Sequence, residues 1–142
     1  MKVSDLMSTH IVTVPPEFSV AEAARTMERN DVGLLPVCGG NGEVQGVLTD
    51  RDIVTRCIAA RIDPRQVRVQ DLMTRGVVSI SPDEDVKTAA QIMSGEQIRR
   101  LPVLEHDRIV GVLSLADLLH SDIYDMEAAQ ALTEITDSAR EY

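Results

Sequence analysis

The sequence predicts an α+β protein: two pseudo-symmetric β-α-β-β-α repeats, packed through their sheets with helices outside, followed by a C-terminal helix. Three observations predict it. Gly46-Val47-Leu48-Thr49-Asp50-Arg51-Asp52-Ile53-Val54 returns as Gly111-Val112-Leu113-Ser114-Leu115-Ala116-Asp117-Leu118-Leu119. The flanks repeat with it: Val3-Ser4-Asp5-Leu6-Met7 matches Val69-Gln70-Asp71-Leu72-Met73, and Leu35-Pro36-Val37 matches Leu101-Pro102-Val103, all at an offset of 66 residues. A single one-residue difference, in the loop at 39–45 against 105–110, shortens the offset to 65 beyond it, which is the mark of a duplication. Within each copy, short β-type runs alternate with amphipathic helical runs and turn signals.

The elements follow in order. Residues 3–8 suit one helical turn, and Ile11–Val14 a short strand stopped by Pro15-Pro16. Ser19 with Glu22 is a capping box, with Phe18 placed as a staple, and starts a helix over 20–30 whose inner face is Val20, Ala23, Ala24 and Met27. Gly33 suits the turn out of it. Strands over 34–38 and 44–48 flank a hairpin loop in which Asn41-Gly42 supplies positive φ. The next helix begins near Thr49 and runs to about Ala60, with Ile53, Val54, Cys57 and Ile58 inward. The second repeat predicts a strand over 77–80, a helix capped by Asp85, strands over 101–104 and 109–113, and a helix from Leu115. The domain boundaries expected are 1–60 for the first repeat, 61–68 (with Asp63-Pro64) for the linker, 69–121 for the second repeat and 122–142 for an acidic amphipathic helix striped by Ala128, Ala131, Leu132, Ile135 and Ala139.

Composition excludes several functions. The 142 residues carry a net charge of −9, and Phe18, Tyr124 and Tyr142 are the only aromatics, so neither duplex nor stacked single-stranded nucleic acid is an expected partner. Asp5 interrupts the N-terminus and no long apolar run follows, so neither a signal peptide nor a membrane span is expected. Cys38 and Cys57 form no Cys-x-x-Cys pattern, which fits a cytoplasmic protein with reduced thiols. Gly39-Gly40-Asn41-Gly42 lacks the Lys-Ser/Thr of a phosphate loop. His10, His106 and His120 show no metal-ligand spacing. With no nucleophile–base arrangement, the chain reads as a non-enzyme without metal or obligatory cofactor.

Thr49-x-x-Asp52 and Ser114-x-x-Asp117 are the candidate binding residues. Each is sufficiently explained as a helix cap. Each also sets a hydroxyl and a carboxylate at a strand-to-helix mouth, where a carboxylate accepts well from a ribose diol and the helix end suits phosphate.

The doubled Leu-Pro-Val followed by Gly-h-h-Thr/Ser-x-x-Asp resembles a tandem cystathionine β-synthase (CBS) domain pair, or Bateman module, over about residues 3–120. The closer likeness, carried by Asp31–Gly39 and Leu48–Val54, is to small stand-alone CBS pairs of the hypoxic-response type. The resemblance implies adenine nucleotide (AMP, ADP or ATP) as a regulatory ligand in clefts between the halves. Asp52 and Asp117 would take ribose hydroxyls, and Thr49 and Ser114 phosphate or ribose. Adenine would lie against Val12, Val32 and Val112 in one cleft and Val78, Ile98 and Val47 in the other. Arg99 and Arg100 stand where the family often holds phosphate, whereas the first repeat has Gly33-Leu34 there. The resemblance also implies a homodimer that signals to a separate, unidentified protein target. Two alternatives stay open: a ligand-independent dimeric interaction module, and a sensor of S-adenosylmethionine or another adenosine compound.

Overall fold

The computed structural model describes residues 1–120 and Glu134. The elements are α1 (Val3–Leu6), α2 (Val20–Asn30), β1 (Leu34–Cys38), β2 (Val44–Thr49), α3 (Asp50–Asp52) continued by a π-helical stretch (Ile53–Ile58), α4 (Val69–Leu72), α5 (Val86–Glu96), β3 (Arg100–Glu105), β4 (Arg108–Ser114) and α6 (Leu115–Leu119). This is the α+β class expected, with each repeat contributing one two-stranded sheet. The C-terminal helix expected over 122–142 lies outside the described residues, Glu134 apart.

Two compact units form, and each takes its lead-in from the other repeat. One comprises Met1–Ile11, Val78–His106 and the residues from Val110; the other comprises Val12–Val77 with Asp107–Ile109. Backbone pairing shows the exchange. In the second unit Val69 N–H donates to the Phe18 carbonyl (2.8 Å), Gln70 N–H to Pro16 (3.1 Å) and Val20 N–H to Val67 (2.9 Å). In the first unit the equivalent residues repeat the pattern: Val3 to Glu84 (2.8 Å), Ser4 to Pro82 (3.0 Å) and Val86 to Met1 (3.1 Å). Identical bonds at corresponding positions make the duplication a property of the fold.

Each unit closes its own apolar core. Val14, Val20, Ala23, Leu35, Val37, Leu48 and Cys57 anchor one. Val3, Val86, Ala89, Met93, Leu101, Val103, Leu113 and Leu118 anchor the other. The Ser19 cap is as expected: its Oγ accepts from Glu22 N–H at 3.1 Å, and Glu22 Oε1 accepts from Ser19 N–H at 3.4 Å. Asp85 caps α5 by accepting from Lys87 N–H at 2.8 Å.

Four expectations are corrected. The strands expected over 11–14 and 77–80 reduce to single parallel bridges, Val14 to Val37 and Ile80 to Val103. Pro16 and Pro82 stand two residues after the bridging Val14 and Ile80, where the ladder would next need a donor, and a proline has no N–H to give. The turn out of α2 is made by Asp31 (φ 52), not Gly33, and Gln97 (φ 58) does the same after α5. Left-handed C-caps usually fall to glycine, but single non-glycine residues adopt them where the following chain is anchored. Here Val32 N–H is tied back to the Met27 carbonyl, and Ile98 N–H to that of Met93. The regular α-helix expected from Thr49 passes into π winding after one turn, with Ala59 N–H donating to the Val54 carbonyl. Finally, of the four residues expected inward on that helix, Ile53 and Cys57 are buried while Val54 and Ile58 are 59% and 55% exposed. The exposed pair lies one residue further round the helix, off the buried stripe.

Candidate functional site

Each sheet ends by running directly into a helix, and the predicted hydroxyl–carboxylate pair sits at that junction. Thr49 is the last residue of β2, opposite Leu34 in the antiparallel register. Its Oγ1 accepts from Asp52 N–H (3.1 Å), and Asp52 Oδ2 accepts from Thr49 N–H (3.0 Å). Ser114 ends β4 with the same geometry: Oγ accepts from Asp117 N–H (3.1 Å), and Asp117 Oδ2 accepts from Ser114 N–H (2.8 Å). Both pairs are therefore reciprocal caps, and all four residues are half-buried. In each carboxylate one oxygen is taken by the cap, and Oδ1 is the oxygen left for another donor.

The segment before β1 or β3 is pinned to each mouth. Asp50 N–H donates to the Gly33 carbonyl (2.9 Å), and Leu115 N–H to the Arg99 carbonyl (2.7 Å). The second contact brings Arg99 to the Ser114–Asp117 junction, with Arg100 next to it opening β3; both side chains are exposed. Gly33 holds that place at the Thr49–Asp52 junction, so the two mouths differ in charge.

The six expected apolar residues fall at three pairs of equivalent positions. Val12 and Val78 precede the bridging residues Val14 and Ile80; Val12 packs on the Val12–Val77 unit's core, and Val78 on the other. Val32 and Ile98 follow the left-handed caps and are partly buried in those same cores. Val47 and Val112 are half-buried on β2 and β4, where each exchanges backbone bonds with a lead-in residue, Thr74 and Ser8 respectively. The structure thus brings Val32 and Val12 into the unit of Thr49 and Asp52, and Ile98, Val78 and Arg99 into the unit of Ser114 and Asp117.

One charged neighbour of Asp52 was missed from the sequence. Arg56 Nε lies 3.8 Å from Asp52 Oδ1. The signal was present, since a cation four residues after an acid lies on the same helical face.

Neither thiol sits in an activating environment. Burial pushes the Cys57 thiol up, with the Asp63 carboxylate adding to the shift, and partial burial pushes Cys38 up. Both shifts disfavour the thiolate, the reactive form. Asp63 itself is held below the usual carboxylate range by Arg65, which donates to both of its oxygens. Among the described residues no cluster of three His, Cys, Asp or Glu is placed to hold a metal, and no helix is long and apolar enough to cross a membrane.

These features define a duplicated, cap-mouthed domain pair, and comparison with known proteins places it. The CBS domain family matches residues 3–58 and 69–123, so the chain belongs to that family. It is 38% identical over 134 residues to the CBS domain-containing protein YhcV of Bacillus subtilis, covering 94% of both chains. It is 32% identical over 114 residues to hypoxic response protein 1 of Mycobacterium tuberculosis, covering 80% of both. Among solved structures, hypoxic response protein I with two coordinated zinc ions has a TM-score of 0.78 at 30% identity, with 85% of this chain and 99% of that one covered. The CBS pair of protein MJ0100, in complex with 5′-methylthioadenosine and S-adenosyl-L-methionine, has a TM-score of 0.73 at 28% identity, with 82% and 91% covered.

Proposed function

We propose that this chain is a regulatory CBS-pair protein that binds an adenosine compound, foremost an adenine nucleotide (AMP, ADP or ATP), and passes its occupancy to a separate protein. The carrying observation is the pair of equivalent mouths, each with a half-buried carboxylate that spends one oxygen on its cap and keeps the other. Asp52 and Asp117 accept ribose hydroxyls through Oδ1. Thr49 and Ser114 contact phosphate or ribose, and Val12, Val32, Val47, Val78, Ile98 and Val112 offer apolar surface to adenine. Arg99 and Arg100 give the second mouth the preference for phosphate, because a guanidinium fork matches phosphate oxygens. The ligand acts by its different affinity for two arrangements of the protein. The bound adenosine compounds of the MJ0100 pair support this chemistry and keep S-adenosylmethionine among the candidates.

Thermal unfolding with AMP, ADP, ATP and S-adenosylmethionine tests the proposal. At one hundred times its Kd, a specific ligand stabilises by ~2.7 kcal/mol, raising Tm by roughly 5–10 °C. Asp52→Ala or Asp117→Ala abolishes that rise at its own site, besides the stability lost with the N3 half of its capping box. A wild-type Tm unmoved by all four compounds at millimolar concentration rejects the proposal.

One observation favours a second reading, a ligand-independent interaction module: both motifs are complete capping boxes, so each hydroxyl and carboxylate already has a structural role. Asp variants that lose only cap stability, with no change in any ligand response, select it.

Under either reading we propose a homodimer. Val54 and Leu119, at equivalent positions of the two repeats, are 59% and 43% exposed, and Ile58 continues the first face at 55%. Apolar side chains repeated on one helical face suit burial against a second copy. Val54→Glu is expected to halve the mass seen by sedimentation equilibrium; an unchanged mass removes this face from the interface.

A further inference from the structure

Arg56 has no counterpart in the second repeat, where Ser121 stands at the corresponding position. Its Nη1 donates to the Leu72 carbonyl (3.0 Å) and lies 3.3 Å from Thr74 Oγ1, which accepts. Leu72 ends α4, so its carbonyl is one of the acceptors a helix C-terminus leaves without an intrahelical donor. Thr74 pairs in both directions with Val47 on β2 (2.9 Å each way). The same guanidinium presents Nε to Asp52 Oδ1 at 3.8 Å, the carboxylate oxygen that the cap does not use. Asp52 is 14% exposed and Arg56 48%. Asp117 keeps the equivalent cap bond, but among the described residues no cation stands within 4.0 Å of it.

We infer that Arg56 is a positioning residue of the Thr49–Asp52 site, which orients Asp52 Oδ1 and couples occupancy of that site to the Leu72–Thr74 turn. This rests on the reading that Asp52 accepts ribose hydroxyls. At 3.8 Å Arg56 attracts the carboxylate without occupying it as a hydrogen-bond donor, so Oδ1 stays available while its direction is set. A ligand hydroxyl on Oδ1 shares that oxygen with the guanidinium. Arg56 is then drawn more firmly onto its other two partners, and the turn tightens. The Ser114–Asp117 site, with no residue of this kind, binds without that effect on the equivalent turn at Leu6–Ser8. The two sites are therefore unequal in output, and the first one reports.

Amide hydrogen exchange with and without AMP, ADP, ATP or S-adenosylmethionine, on wild type, Arg56→Met, Arg56→Lys and Asp52→Ala, tests this. In wild type the binding compound is expected to slow exchange at Thr74 about tenfold. Arg56→Met weakens affinity about tenfold and, at saturation, leaves Thr74 exchange unchanged. Arg56→Lys keeps the charge beside Asp52 and restores the affinity. Its single ammonium cannot face Asp52 and the Leu72–Thr74 pair at once, as the separate Nε and Nη1 of arginine do, so the protection does not return. If Arg56→Met merely lowers Tm, with affinity and ligand-dependent protection intact, Arg56 is a structural clamp and the inference fails, while Asp52→Ala still reports on the ribose reading. If no compound binds wild type, the proposed function fails and this inference with it.

Discussion

Leu48→Ala and Leu113→Ala each lower the free energy of unfolding by about 2–5 kcal/mol, the cost of emptying a fully packed leucine site. Both side chains have no exposed surface, and they occupy equivalent positions on β2 and β4. Leu48 lies opposite Leu35, which is equally buried. No large ring is at hand to slide into the void. Phe18 is the only aromatic among the described residues, and it packs partly buried against one of the two cores. The expected Tm loss is roughly 5–15 °C for either variant, read by thermal or urea unfolding. A loss under 1 kcal/mol at one position would mean that its unit is not packed as described.

Gly46→Ala is the second large effect. A Cβ there would lie 2.7 Å from the Thr74 carbonyl oxygen and 2.8 Å from Met73 Sδ. The methionine can move; the carbonyl cannot, because it accepts from Val47 N–H. Gly111 faces the same arrangement in the other unit, with Ser8 O at 3.0 Å and Met7 Sδ at 2.5 Å. Crowding of this kind costs about 1–3 kcal/mol, and the tighter backbone contact makes Gly46→Ala the costlier of the two. Gly40, with nothing within 4 Å, is the control and should change stability by less than about 0.5 kcal/mol. Equal, negligible effects at Gly46 and Gly111 would contradict the exchange of lead-ins, since it is the exchanged segment that fills the space above each glycine.

That exchange is a tertiary feature that local sequence patterns do not encode. The repeat, the Ser19–Glu22 box, the buried face of α2 and the two strand-to-helix mouths are local patterns, and local patterns are legible. Which unit a lead-in packs against depends on tertiary pairing. Val3 and Val69 look alike in sequence whether they serve their own repeat or the other. Gly46 and Gly111, repeated at equivalent positions, are a clue, because each marks a close backbone approach that no turn requires. Val54 and Ile58 were misplaced because four apolar residues at helical spacing read as one wide stripe, whereas Ile53 and Cys57 alone fill the core. Residues 11–14 and 77–80 read as strands but form single bridges, because β-type residues raise propensity without supplying a partner. At the candidate site, the hydroxyl–carboxylate pairs and Arg99 were legible as motif positions. Arg56 is legible only as an i, i+4 partner of Asp52; its reach to Leu72 and Thr74, 16 and 18 residues on, depends on tertiary packing.

The regulatory reading depends on where an adenosine compound binds. Amide-resolved NMR titration of the full chain with AMP, ADP, ATP and S-adenosylmethionine in turn tests this most directly. Saturable shifts are expected to centre on Thr49–Asp52, Ser114–Asp117 or both, with Val32 or Ile98 following the mouth of its own unit. Saturable shifts confined to residues away from both mouths, or no shifts with any of the four, would contradict it.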